Sequence, residues 1–257
     1  MDLGIHGKLA LVTASSGGMG RNIAHALAAE GTNVVLFART AAKLDATARE
    51  IELRHGVRAH AVVGSMLDAQ DVARLTSRLR ELGGPDIVVL VTGRPPNPLR
   101  ATLDETDEQR WRTAYDNQLW SVVQLLIAAM PLMLERGWGR VIAVTSASAK
   151  QPMANHALST VFRAGVTAYL KGLAGEVGSR GITVNCVAPA LIDTSHRSGS
   201  AAYSAEQTEQ RKRLTPLGRM GTQDELCGVV AFLASTQAGF ITGSTIAVEG
   251  GMIASLF

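Results

Sequence analysis

The sequence is poor in the residues that build secreted, fibrous or membrane folds. Of its 257 residues only two are cysteine, Cys186 and Cys227, both in apolar surroundings. That excludes a disulfide framework and predicts buried free thiols in a reducing compartment, the cytoplasm. No run of proline, serine or like charge divides the chain, so one domain over residues 1–257 is expected, with ample apolar content for its core. The net charge is only +3 and the arginines are scattered rather than blocked. A nucleic-acid surface is therefore not expected, although a basic pocket for an anion is compatible with this charge. The first residues hold no long apolar run with a cleavage site, and no uncharged apolar run is taken to approach a membrane span, so no membrane partner is expected. The six histidines do not fall at metal-ligand spacings with cysteines or carboxylates, and no metal site is predicted.

What is present is organised around Lys8 to Gly20, KLALVTASSGGMG. Leu9 to Val12 is apolar without alternation, as in a strand buried on both faces of a parallel sheet. Glycines follow, and Arg21 to Glu30 reads as a helix. A strand, a glycine turn and a helix aim backbone N–H groups and the positive end of the helix dipole at one point, which suits a phosphate. Gly18 and Gly20 would let backbone approach a pyrophosphate. Further strands are expected at Asn33 to Phe37, Arg58 to Val63, Ile87 to Val91, Arg140 to Thr145, Ile182 to Val187 (broken by Pro189) and Ile246 to Val248. Helices are expected at Ala42 to Arg54, Asp71 to Leu82, Asp107 to Glu135 as one long helix, Asn155 to Val177 and Thr222 to Ser235. This alternation predicts an α/β fold, a single-domain, Rossmann-type doubly wound parallel sheet. In such a fold the residue about twenty positions past the glycines meets the adenosine ribose. Here it is Arg39, with no carboxylate nearby, and a guanidinium matches a 2′-phosphate where an acid would match a 2′-hydroxyl. NADP(H) is thus preferred to NAD. Two segments at strand ends suit a substrate: the proline-stiffened loop Arg94 to Arg100, and a polar stretch from Asp193 to Gln210, extended to residue 215 as an expected lid.

The chain resembles the classical short-chain dehydrogenase/reductase family, and within it the 3-oxoacyl-carrier-protein reductases. The family's T-G-x-x-x-G-x-G stands as Thr13-Ala14-Ser15-Ser16-Gly17-Gly18-Met19-Gly20, with alanine for the first glycine. Its mid-helix Asn falls at Asn117, its post-strand Ser at Ser146, and its P-G at Pro189-Ala190 with Thr194 following. Its closing T-G and G-G stand at Thr242-Gly243 and Gly250-Gly251. The resemblance implies cofactor contacts from Thr13, Ser15, Ser16, Gly18, Met19, Gly20, Arg39, Ser65, Met66, Thr92, Gly93, Arg163, Pro189, Ile192 and Thr194. It also implies a homo-oligomer, a tetramer or dimer, for which the small-residue helix Asn155 to Val177 is a suitable interface.

The resemblance fails at the chemistry. The family's Tyr protonates a carbonyl oxygen while hydride arrives from the nicotinamide, and a Lys four residues on lowers that Tyr's pKa and holds the nicotinamide ribose. Thirteen residues after Ser146 stands Ser159, and four further on stands Arg163. The Asn-Asn-Ala-Gly after the fourth strand is also altered, to Leu90-Val91-Thr92-Gly93. A serine is a poor acid and an arginine keeps its proton, so what is lost is the proton rather than the positive charge. His156 is one replacement, standing seven residues before Arg163 as the Tyr of divergent enoyl reductases stands before their Lys. Lys150 is a weaker one. Three readings remain open: an NADP(H)-dependent reductase of a carbonyl or activated double bond in a small molecule or acyl thioester, a non-redox isomerase or dehydratase on the same fold, and an inactive dinucleotide-binding partner or sensor.

Overall fold

Leu9 to Val12 carries no polar side chain and so needs cover on both faces. In the computed structural model, which describes residues 2–194 and 204–256, it lies inside a seven-stranded sheet. The elements are β1 (Leu9–Thr13), α1 (Gly18–Ala29), β2 (Asn33–Ala38), α2 (Ala41–His55), β3 (Ala59–Val63), α3 (Ala69–Glu81), β4 (Ile87–Val91), α4 (Glu108–Tyr115), α5 (Ser121–Arg136), β5 (Gly139–Val144), α6 (Ala157–Val177), β6 (Ile182–Pro189), α7 (Ala205–Arg213), α8 (Gln223–Ala234) and β7 (Thr245–Val248). The strand order is β3-β2-β1-β4-β5-β6-β7, and every pairing is parallel. Alternate residues feed opposite cores. Ala10, Val12, Ile87, Val89 and Val91 pack with α1 and α8, whereas Leu9, Leu11, Val88 and Leu90 pack with α3, α5 and α6.

Helix ends follow local chemistry. Asp68 caps α3 by accepting from the Gln70 and Asp71 N–H groups, and Asp107 caps α4 in the same way. Gly56 and Gly137 close α2 and α5 in the left-handed region, at φ 69° and 64°.

Four expectations are corrected. The long helix is not continuous, because a π-helical turn over Asp116–Trp120 separates α4 from α5. Together, Glu108–Arg136 is long and apolar enough to cross a membrane, contrary to the expectation that no run approaches that length. Half of its apolar window is buried, and Val122, Leu125, Leu126 and Met133 of α5 belong to the core. β6 runs two residues past the expected Val187 and stops at Pro189, which is paired with Val248 of β7. The N–H that proline lacks would face β5, whose last pairing is Val144 with Val187, so no ladder bond is lost. Finally, part of the polar stretch is a helix, α7, opened by a capping box between Ser204 and Gln207. Residues 195–203 of the expected lid lie outside the described residues.

Candidate active site

β1 and β4 are neighbours, yet the chain runs outward from them in opposite directions, which opens a crevice at their carboxyl ends. Thr13 locks this joint. Its hydroxyl donates to the Val91 carbonyl at 3.0 Å and accepts from the Val91 N–H at 2.8 Å, so only its backbone is free to face a ligand. α1 begins at the crevice with no side-chain cap and no acid in its first turn, leaving N–H groups and the helix dipole open to an anion. Gly20 permits the packing, since a Cβ there would lie 2.6 Å from the carbonyl oxygens of Thr13 and Ala14. Gly18 sits at φ 54°, and Ala14 at φ 50°, a conformation that costs an L-residue about 1–2 kcal/mol.

A cavity of about 190 Å³ opens beside this turn, bordered by Ser16, Arg39, Ser65, Met66, Gly93 and Asn117. Ser65 is fixed by its N–H on Asp71 at 2.8 Å, and the Met66 carbonyl accepts from Gln124 at 3.1 Å. Arg39 is exposed and has no hydrogen bond or ion pair with a described residue. The hydroxyls of Ser15 and Thr92 are buried without a partner. Open helix N–H groups, unspent hydroxyls and a free guanidinium fit the pyrophosphate and 2′-phosphate of a dinucleotide.

A second cavity, of about 430 Å³, lies at the ends of β5 and β6, where Ser146, His156, Ser159, Arg163, Pro189, Ile192, Thr194 and Met19 border it. Arg163 enters from α6. Its Nε donates to Gln118 Oε1 at 3.1 Å, Nη1 to the Val144 carbonyl at 2.9 Å and Nη2 to the Gly93 carbonyl at 3.0 Å. Burial lowers its pKa to about 10, so it stays cationic at neutral pH. Three serines form a chain beside it. Ser148 donates to Ser146 at 2.9 Å, which makes Ser159 the donor in its 3.4 Å contact with Ser148. Ser146 also accepts from the Ser148 N–H, so its own proton is unspent. His156, half-buried at the start of α6, points Nδ1 at the Ala154 carbonyl, 2.7 Å away. A carbonyl only accepts, so Nδ1 carries a hydrogen and Nε2 is the nitrogen left to exchange a proton. Lys150 turns away and donates to the Thr245 carbonyl at 3.2 Å.

Asn117 borders the smaller cavity, while the side chain that meets Arg163 is its neighbour Gln118, which is fully buried. Periodicity held the clue, since Gln118 stands four residues before Val122 and seven before Leu125, both core residues. Arg110 was also missed. It grips Glu105 at 2.5 Å and donates to the carbonyls of Pro96, Asn97 and Pro98, holding the proline loop over the cavity.

Residues 13–253 match the family model described as Enoyl-(Acyl carrier protein) reductase. The chain is 37% identical over 247 residues to a 3-oxoacyl-[acyl-carrier-protein] reductase of Staphylococcus aureus, covering 95% of this chain and 98% of that one. It belongs to the short-chain dehydrogenase/reductase family. Another member, the 3-oxoacyl-[acyl-carrier-protein] reductase of Aquifex aeolicus, is 31% identical over 253 residues, covering 98% of this chain and all of the other. Among solved structures of the short-chain dehydrogenase/reductase family, the L-sorbose reductase of Gluconobacter frateurii, complexed with NADPH and L-sorbose, superposes with a TM-score of 0.88 at 30% identity over the whole of both chains.

Proposed function

We propose that this protein is an NADP(H)-dependent reductase of a carbonyl or activated double bond, with an active site in which Ser159 and Arg163 stand where the family has Tyr and Lys. The observation that carries this reading is the placement of Arg163. A fixed guanidinium, tied to Gly93 just past β4, to β5 and to the π turn, borders a cavity that also holds Ser146 and His156. Thr13 to Gly20, Ser65, Met66, Thr92, Gly93, Pro189, Ile192 and Thr194 would hold the dinucleotide, and Arg39 its 2′-phosphate. The chemistry such a cofactor supplies is a hydride. The protein's own part is to steady the oxygen on which negative charge develops and to deliver a proton to it. Ser146 has a hydroxyl proton to donate as a hydrogen bond, and Arg163 adds a positive charge that needs no reorganisation. The proton itself comes from His156 Nε2, because serine hydroxyls are poor acids and Arg163 keeps its proton.

The buried, unreactive Cys186, whose thiol is raised to about 11 by desolvation, fits a reducing compartment such as the cytoplasm. The exposed Trp120, Ile127 and Val161 on the helices over one sheet face fit a homo-oligomer. Arg211 of α7 and Thr194 border the larger cavity, in keeping with a cover to which the described parts of the stretch, 193–194 and 204–215, contribute.

The test is NADPH consumption against a panel of ketones, enones and acyl thioesters. Turnover is expected with at least one class, and His156→Ala should lower kcat at neutral pH by ~10²-fold. Unchanged turnover in that variant would remove His156 from the mechanism. No NADPH consumption with any class, despite tight binding, would favour the isomerase or dehydratase reading.

A further inference from the structure

Among the described residues, the larger cavity is bordered by the guanidinium groups of Arg94, Arg163 and Arg211 and the imidazole of His156, and by no carboxylate. Arg163 is 8% exposed, and its three hydrogen bonds all go to neutral oxygens. A buried charge without a counter-charge is costly, and elsewhere the fold avoids this cost. Arg110 meets Glu105, Arg136 meets Asp86, and Arg140, also buried without a carboxylate, lies 4.3 Å from the centre of the Trp138 ring. Arg163 has neither an anion nor an aromatic face among the described residues. A guanidinium carries five N–H donors. Three are engaged, and two remain on a side chain that borders the cavity. Arg94, at the rim just past β4, is exposed and has no hydrogen bond or ion pair with a described residue.

We propose that the substrate is itself an anion, a small oxo acid or unsaturated acid whose carboxylate is held by Arg94 in the field of Arg163, whose two remaining N–H groups stay for the oxygen of the group that is reduced. This rests on the reductase reading and narrows it. A carboxylate supplies the charge the lining lacks, and its two oxygens match the fork of a guanidinium. An uncharged sugar or ketone would leave Arg163 uncompensated in the bound state. The dinucleotide's own diphosphate has related chemistry, and Arg94 could serve it instead, so the experiment separates the two.

The full-length protein, with and without saturating NADP⁺, is titrated calorimetrically with 4-oxopentanoate and with 4-oxopentanamide, which differ in charge and little else. The acid is expected to bind about tenfold tighter than the amide, the equivalent of one charge-assisted hydrogen bond. Arg94→Gln should shrink that preference to about threefold or less, with NADP⁺ affinity within about twofold of wild type. Arg163→Met, where circular dichroism shows it folded, should also shrink the preference, and Arg163→Lys should retain more of it. Equal binding of acid and amide, or no measurable binding of the acid, overturns the proposal. So does an Arg94→Gln variant that keeps the preference and loses NADP⁺, which assigns Arg94 to the diphosphate. Failure of wild type to bind NADP⁺ removes the reductase reading, whereas the acid and amide comparison without cofactor still decides this one.

Discussion

The two ends of the sheet solve opposite problems. At the amino end, where β1 and β4 begin, Asp86 is buried and saturated. It accepts from the Leu9 N–H at 2.8 Å and from Arg136 at 2.8 and 3.2 Å, with Lys8 at 3.5 Å. Lys8 and Arg140 lie against the Trp138 ring. At the carboxyl end, among the described residues, Arg163 has no anion, Ser15, Thr92 and Gln118 keep buried polar atoms without partners, and Ala14 and Leu191 stand in left-handed backbone. Groups satisfied within the chain contribute stability, and groups left unsatisfied are available to a ligand. Apart from the unpartnered Thr183 hydroxyl at the start of β6, one sheet thus carries a base closed around Asp86 and an open, strained site.

Three substitutions tell the two ends apart, in falling order of effect. Asp86→Ala should cost about 2 kcal/mol of unfolding free energy, chiefly by leaving the buried Leu9 N–H without its acceptor, while the folded protein keeps its NADPH affinity. Urea denaturation reads this, and a loss below about 1 kcal/mol would mean the base is not held as described. Ala14→Gly acts in the other direction. Glycine relieves about 1–2 kcal/mol of left-handed strain and returns about 0.5–1 kcal/mol as unfolded-state entropy, a net gain near 0.5 kcal/mol in the same measurement. The smallest effect concerns Glu225, which pairs with Arg219 beside the open end. The hydrogen bond from Arg219, helped by the Thr222 N–H, lowers its pKa from 4.5 to about 2. A carboxylate depressed in the folded state stabilises above its unfolded value and loses that contribution as pH falls through its folded one. Thermal midpoints should therefore fall more steeply between pH 4.5 and about 2 in wild type than in Glu225→Gln.

Much of this molecule was legible in its sequence. Runs such as Leu9 to Val12 and Ile87 to Val91 gave the strands, because a strand covered on both faces has no polar positions to blur its limits. The glycine turn and the bare Arg39 were equally local. Features that depend on distant partners were not readable. The ties of Arg163 reach 45 residues to Gln118 and 70 to Gly93, and nothing near Arg163 announces them. Asn117 was chosen from the family resemblance, and its buried neighbour Gln118 was passed over although it stands in phase with Val122 and Leu125. Ser204 and Gln207 did spell a capping box for α7, but the serine-rich surroundings hid it.

Fluorescence titration with NADPH and NADH, on wild type and Arg39→Gln, tests directly whether the open end is a site for a phosphorylated dinucleotide. NADPH should bind at least about tenfold tighter than NADH, and Arg39→Gln should remove most of the difference, as loss of one charge-assisted contact does. Equal affinities in wild type would contradict the role of Arg39, and no binding of either nucleotide would contradict the account as a whole.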